Sequence, residues 1–171
     1  MTEPQLPSHS SVVVIGGGIM GCSTLYHLAK EGVKDAILLE RNKLTSGTTW
    51  HSAAQVRALR SSQNLTDLIR YSVSLYKSLE EETGQLTGWI NKGSLSIATN
   101  QERLTFIKRQ ESLAKLFGVK AESISVGEAR ERWPLMNTED VIGAVWSPDD
   151  GRVGPSDLCA ALVKGAKSRG A

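Results

Sequence analysis

Hydrophobic and polar positions change period several times along the chain, and each change marks an element. Residues 11–15 (SVVVI) form a β-branched run without polar alternation, which predicts a strand buried on both faces. Residues 19–30 then place Met20, Thr24, Leu25, Leu28 and Ala29 at helical spacing, and Gly32 stands where a C-cap belongs. Residues 36–40 (AILLE) predict a second buried strand. Strand, helix and strand together make one right-handed βαβ unit, and hence a parallel sheet.

Residues 41–62 lose the apolar period and gain Thr, Ser and Gly, which predicts a long loop of the kind that carries function. From residue 64 to 83 an amphipathic helix returns, with Leu65, Leu68, Ile69, Ser72, Leu75, Tyr76 and Leu79 on one stripe and Gly84 as its stop. Residues 93–98 (GSLSIA) alternate like a half-exposed antiparallel strand. Helices are predicted over 101–117, ending at Gly118, and over 125–133 before Pro134. A strand over 141–146, a turn at 148–151 and a helix over 155–169 with Pro at its first turn complete the reading. The order predicts an α/β fold: a Rossmann-like parallel layer with an inserted α+β lobe, truncated. Residues 1–10 read as a flexible tail, 11–62 and 154–171 as the incomplete nucleotide-binding layer, and 63–153 as the inserted lobe. The last helix should lead into a third parallel strand, and no residues remain to form it.

Composition narrows the classes. Twenty basic against 18 acidic residues give a net charge of +2 without a clustered basic face, so neither nucleic acid nor an anionic membrane is an expected partner. No apolar run reaches the roughly 18 residues of a membrane span. The polar N-terminus resembles neither a secretory signal nor a presequence, which favours a bacterial cytoplasmic origin over a mitochondrial matrix one. Cys22 and Cys159 form no metal-ligand or CxxC spacing and read as reduced core residues.

The chemistry begins at Gly16-x-Gly18-x-x-Gly21, directly after a strand and opening a helix. The first Gly allows the tight turn, the second lets the backbone approach a pyrophosphate, and the third permits close helix packing. The N–H groups of Ile19 and Met20 at the helix start face the anion with the positive end of the helix dipole. Glu40 closes the second strand, where a carboxylate accepts both ribose hydroxyls and repels a 2′-phosphate. This spacing specifies a dinucleotide site and leaves NAD and FAD open.

The stretch that follows, LTSGTTWH (44–51), carries a family resemblance, as do LEEETG (79–84), TGWI (87–90), PLMN (134–137), the Asp150–Gly151 turn and SRGA (168–171). From about residue 11 onward the chain resembles the sarcosine and dimethylglycine dehydrogenases, flavoenzymes of the D-amino-acid-oxidase-like superfamily. The resemblance implies FAD, with Arg41, Thr48 and Thr49 along its path and His51 bonded covalently to the 8α-methyl carbon. A neutral imidazole is a competent nucleophile near pH 7. Arg57 and Arg60 resemble the stretch that supplies an Arg to the substrate carboxylate in related N-methyl amino acid oxidases. Arg60 is the better match for that role, with a structural or flavin-phosphate contact as the alternative. The sequence departs from the family pattern at Ser52, Ala53, Ala54 and Gln55, where relatives favour a Gly near the third or fourth place. Trp50 reads either as a flavin neighbour or as a packing residue, and Trp133 and Trp146 read as core.

By the same resemblance, the reaction is oxidative demethylation of a small N-methyl amino acid such as sarcosine or dimethylglycine. Electrons leave to an electron-transferring flavoprotein or oxygen, and tetrahydrofolate captures the one-carbon unit in a C-terminal part beyond this chain. No residue here reads as a convincing base, and the isolated chain is expected to be inactive and marginally stable. Two other readings stand beside this one. The first is a non-catalytic regulatory protein that keeps the flavoprotein fold, for which a phosphatase regulator in the family is the precedent. The second is an NAD-dependent dehydrogenase, disfavoured because no acid or base for that chemistry is evident.

Overall fold

A computed structural model describes residues 7–171, so the first six residues of the expected tail lie outside the described residues. The chain divides into two compact units. The first comprises residues up to 54 together with 75–89 and 153–171, and the second comprises 55–74 and 90–152. The boundaries differ from the sequence reading because one long helix belongs to both units, so residues 63–153 are not one block.

In the first unit β1 (Val12–Ile15) pairs in parallel with β2 (Ala36–Leu39), with Val12 opposite Ala36 and Ile15 opposite Leu39. They are joined by α1 (Ile19–Lys30), which ends where the Val33 N–H reaches the Leu28 carbonyl at 3.0 Å across Gly32. Leu25 and Ala29 of α1 pack with Ala36 and with Ala166 of α5 (Pro155–Lys167). Gly165 lets α5 approach α1 closely, because a Cβ there would stand 2.8 Å from the ring of fully buried Tyr26.

Burial corrects two expectations for this unit. The first strand is not covered on both faces: Val13 is exposed and Ile15 is 85% exposed, while Val12 and Val14 face the helices. A run without alternation carries no face information, so the apolar pattern alone cannot tell which face of the strand is covered. The expected α1 stripe is also rotated. Met20 is 79% exposed and Thr24 is exposed, whereas Cys22, Leu25, Tyr26 and Ala29 are buried. The buried arc follows α5, a partner 130 residues away that spacing alone cannot reveal. It also joins the two cysteines. The neighbouring Cys22 side chain, followed by burial, raises the Cys159 thiol above its ordinary value.

The helix α2 (Gln63–Thr83) starts in the second unit and ends in the first. Its C-terminal half follows the predicted stripe, with Leu75 and Leu79 buried. Its N-terminal half does not: Leu65 is exposed and Leu68 is 59% exposed, while Thr66 and Val73 are buried.

The second unit is built on an antiparallel sheet in the order β4 (Ser94–Ala98), β6 (Gly143–Ser147), β5 (Glu122–Ile124). Its core joins Ala98 and Val145 of the sheet to Ile107 of α3 (Gln101–Leu116). α3 starts on the Asn100 side chain, which accepts the Arg103 N–H, and α4 (Val126–Arg132) opens with a capping box between Ser125 and Glu128. β3 (Gln55–Val56) pairs with β7 (Gly151–Arg152), a two-residue ladder too short for periodicity to show. Trp146 is half-buried over Gly93, and Trp133 packs against it at 5.7 Å between ring centroids. Trp133 is 39% exposed, so it covers the core rather than filling it as expected.

Candidate functional site: a glycine turn and an arginine cavity

The two units each carry one constellation of polar groups. In the first unit the chain leaves β1 through Gly16, whose φ of +107° lies in the region that favours glycine. Its N–H donates to the Leu39 carbonyl at 2.8 Å, which locks the turn to the end of β2. A Cβ at Gly21 would stand 1.9 Å from the Gly16 carbonyl oxygen, so only glycine lets α1 start this close to the turn. A Cβ at Gly18 would stand 2.9 Å from the Thr49 hydroxyl.

Gly17, which the fingerprint leaves unspecified, is the residue that ties the turn to the acidic position. Its N–H donates to Glu40 Oε2 at 2.7 Å, and a Cβ there would stand 2.6 Å from Leu44 and 3.0 Å from Glu40. Glu40 Oε1 accepts the Asn42 N–H at 2.9 Å. These two bonds, Gly17 first, hold the Glu40 carboxyl below its ordinary value, so it is ionised at neutral pH. Each oxygen keeps a lone pair for a further donor. Glu40, Asn42, Leu39 and Leu44 line one cavity of about 460 Å³ with Leu25 and Val163. That volume and its apolar walls suit a nucleoside, with the carboxylate at the edge for hydroxyls.

The loop after β2 is docked on the glycine turn. The Thr45 N–H donates to the Gly17 carbonyl at 2.9 Å, and its hydroxyl meets the Ser156 hydroxyl at 2.9 Å. The Thr49 hydroxyl accepts the Ile19 N–H at 3.0 Å, filling one of the orphan donors at the start of α1. Arg41 and Thr48 are exposed, and the Thr48 carbonyl accepts the His51 N–H at 3.2 Å. His51 is exposed and stacked on Trp50 at 3.9 Å between centroids. Its Nδ1 donates to the Gly47 carbonyl at 3.1 Å. A carbonyl only accepts, so Nδ1 is the donor of this bond and Nε2 is left unengaged by it. Ala54 has a φ of +57°, a left-handed conformation that glycine adopts without strain, at the place where the sequence departs from the family pattern.

In the second unit, residues 57–60 are held from three sides. Asp150, buried, accepts the Ala58 N–H at 2.7 Å and the Ser94 hydroxyl at 2.5 Å. Ala58 packs against Ala114 and Val119, and the Arg60 N–H donates to the hydroxyl of fully buried Thr66 at 3.1 Å. Arg57 and Arg60 thereby face a cavity of about 550 Å³, shared with Arg109 and Phe106 of α3 and with Ser96 of β4. The Arg60 guanidinium is half-buried and donates to the Leu59 carbonyl at 3.1 Å. Sequence reasoning missed Gly17, Thr66 and Arg109, and saw Asp150 only as a turn residue. The Asp-Asp-Gly turn was the single local signal available for any of them.

Residues 11–171 match the model of the FAD dependent oxidoreductase family, DAO. The chain belongs to this family. Among curated relatives, the mitochondrial sarcosine dehydrogenase of Mus musculus is 48% identical over 97% of this chain, which spans 18% of that protein. The mitochondrial pyruvate dehydrogenase phosphatase regulatory subunit of Mus musculus is 40% identical over 96% of this chain, covering 19% of that protein. Among solved structures, L-proline dehydrogenase from P. horikoshii superposes with a TM-score of 0.89 at 32% identity, over 96% of this chain and 43% of that one. The chain thus spans about a fifth of the length of these curated relatives. Among the described residues no helix is long and apolar enough to cross a membrane.

Proposed function

We propose that this chain is the N-terminal, dinucleotide-holding part of an FAD-dependent oxidoreductase that demethylates a small N-methyl amino acid, sarcosine or dimethylglycine. The observation that carries the reading is the bond from the Gly17 N–H to Glu40, which puts the ribose-type carboxylate and the phosphate-type turn in one rigid unit. Gly16, Gly18, Gly21 and the N–H group of Met20 would hold the pyrophosphate, the Ile19 N–H being taken by Thr49; Glu40 would hold the ribose, and Arg41, Thr48 and Thr49 the path beyond. When bound, FAD supplies the hydride acceptor, and the protein supplies position and charge. His51 is the residue for the covalent link. Its Nδ1–H is fixed on Gly47, so Nε2 is the atom free to bond. Arg60 is the residue for the substrate carboxylate, since its guanidinium fork matches that group.

The substrate amine must lose its proton before a hydride can leave, and no described residue is placed as an evident base. In the whole protein, electrons pass to an electron-transferring flavoprotein or oxygen, and tetrahydrofolate takes up the one-carbon unit beyond this chain. One observation favours a second reading: a regulatory subunit is 40% identical to this chain, so a non-catalytic protein on the same fold is its competitor. Acid precipitation after expression with FAD separates the two. Yellow colour retained in the wild-type pellet and lost in His51→Ala supports the redox reading, and a colourless wild-type pellet contradicts the covalent link.

A further inference from the structure

We infer that the cavity of the second unit takes a substrate carrying two carboxylates, and that Arg109 binds the one remote from the reacting amine. The inference rests on the proposed oxidoreductase reading and departs from it in the substrate alone: an N-methylated amino acid with an acidic side chain in place of sarcosine or dimethylglycine. Three guanidinium groups, those of Arg57, Arg60 and Arg109, line one cavity of about 550 Å³. The one carboxylate among the lining residues, Asp150, is turned to the Ala58 N–H and the Ser94 hydroxyl. Among the described residues none of the three arginines is a member of the ion pairs Arg70–Asp67, Lys115–Glu111 and Arg169–Glu82. Arg57 uses only its Nε, on Gln55 at 3.3 Å, and Arg109 makes no hydrogen bond among the described residues.

A monocarboxylate such as sarcosine engages one fork and leaves the other two guanidinium groups of the lining without a ligand carboxylate. Three guanidinium groups against the one carboxylate of Asp150 leave an excess of positive charge along the lining, and a positive field recruits anions. Arg109 faces the cavity by helix geometry. Phe106, Arg109, Gln110 and Leu113 follow the i, i+3, i+4, i+7 spacing, and all four line it. α3 therefore offers a fork flanked by two apolar side chains, which suits a carboxylate on a short aliphatic arm. The cavity lies in the size range of sites for ligands much larger than sarcosine, ~300–1,000 Å³. Arg60, fixed through Thr66, is left for the α-carboxylate.

The test is calorimetric titration of the purified chain with N-methyl-L-aspartate and with sarcosine, at low and at physiological salt. N-methyl-L-aspartate should bind at least ~10-fold more tightly, and the advantage should shrink with salt as charge screening requires. Arg109→Gln, an exposed helix position whose circular dichroism should be unchanged, should bring the ratio close to one. Lys108→Gln removes a charge from the same helix off the cavity and should leave the ratio intact. Equal affinity for the two ligands in the wild type, or an unchanged ratio in Arg109→Gln, overturns the inference. FAD content of the same preparation is read independently by absorbance, so a colourless protein that still prefers the dicarboxylate refutes the oxidoreductase reading and not the site.

Discussion

The glycine turn of the first unit and the arginine cavity of the second are both polar constellations, yet they are assembled in opposite ways. The turn is local: residues 16–21 and 40–49 make it, and backbone groups do most of the bonding. The cavity is long-range: a loop at 57–60, a helix position at 109, a strand at 94–96 and a buried carboxylate at 150 meet only after folding. A site made of backbone is specified by where side chains must be absent, and one made of side chains by what holds the loop that carries them. The first should therefore break sterically and the second through its supports.

The largest effect is expected at Gly21. Gly21→Ala forces a Cβ to within 1.9 Å of the Gly16 carbonyl, and backbone cannot yield as a side chain does. We expect a loss of about 3 kcal/mol, at the upper end for overpacking, seen in denaturant titration together with loss of FAD binding. Full retention of both would show that the turn tolerates a wider approach than its geometry implies.

Asp150→Ala is the matching change in the second unit. It leaves the Ala58 N–H and the Ser94 hydroxyl without their acceptor, a loss of about 2 kcal/mol for buried donors. Hydrogen exchange should accelerate at Ala58 while the amides of α1 stay protected. Uniform acceleration in both units would erase the distinction between them.

Acid should act on the turn through Glu40. The Glu40 carboxyl is held below its ordinary value of 4.5 by the Gly17 and Asn42 N–H groups. A depressed folded value means that the stabilisation is complete above the ordinary value and is lost as pH falls through the lower, folded one. FAD affinity should thus be flat from pH 7 to 5 and fall only below 4.5, and in Glu40→Gln the affinity should be lower with this acid limb absent. Ala54→Gly is the smallest change. It relieves a left-handed alanine and gives back part of the gain as unfolded-state entropy, for a net stabilisation of about 0.5 kcal/mol.

The same contrast explains what the sequence made legible. Gly16, Gly18, Gly21 and Glu40 are readable because each is dictated by neighbours within a βαβ unit, and the strand and helix boundaries there lie within a residue or two of the structure. Gly17 hides in the fingerprint as an unspecified position because its role depends on Leu44 and Glu40 closing over it. The first half of α2 misled because Leu65 and Leu68 continue a helical stripe, whereas burial there follows the small side chain of Thr66 that fixes Arg60. Arg109 is indistinguishable in sequence from the exposed Arg103 and Lys108 on the same helix. Only the side of α3 that packs on the sheet decides which of them meets Arg57 and Arg60.

The central claim, that the glycine turn holds the ADP half of FAD, is tested most directly by titrating the chain with FAD, ADP and FMN under identical conditions. The account predicts that FAD binds, that ADP competes with it, and that FMN, which lacks the adenosine and the pyrophosphate, binds at least ~10-fold more weakly than FAD. FMN binding as tightly as FAD, or FAD binding untouched by ADP, would contradict it.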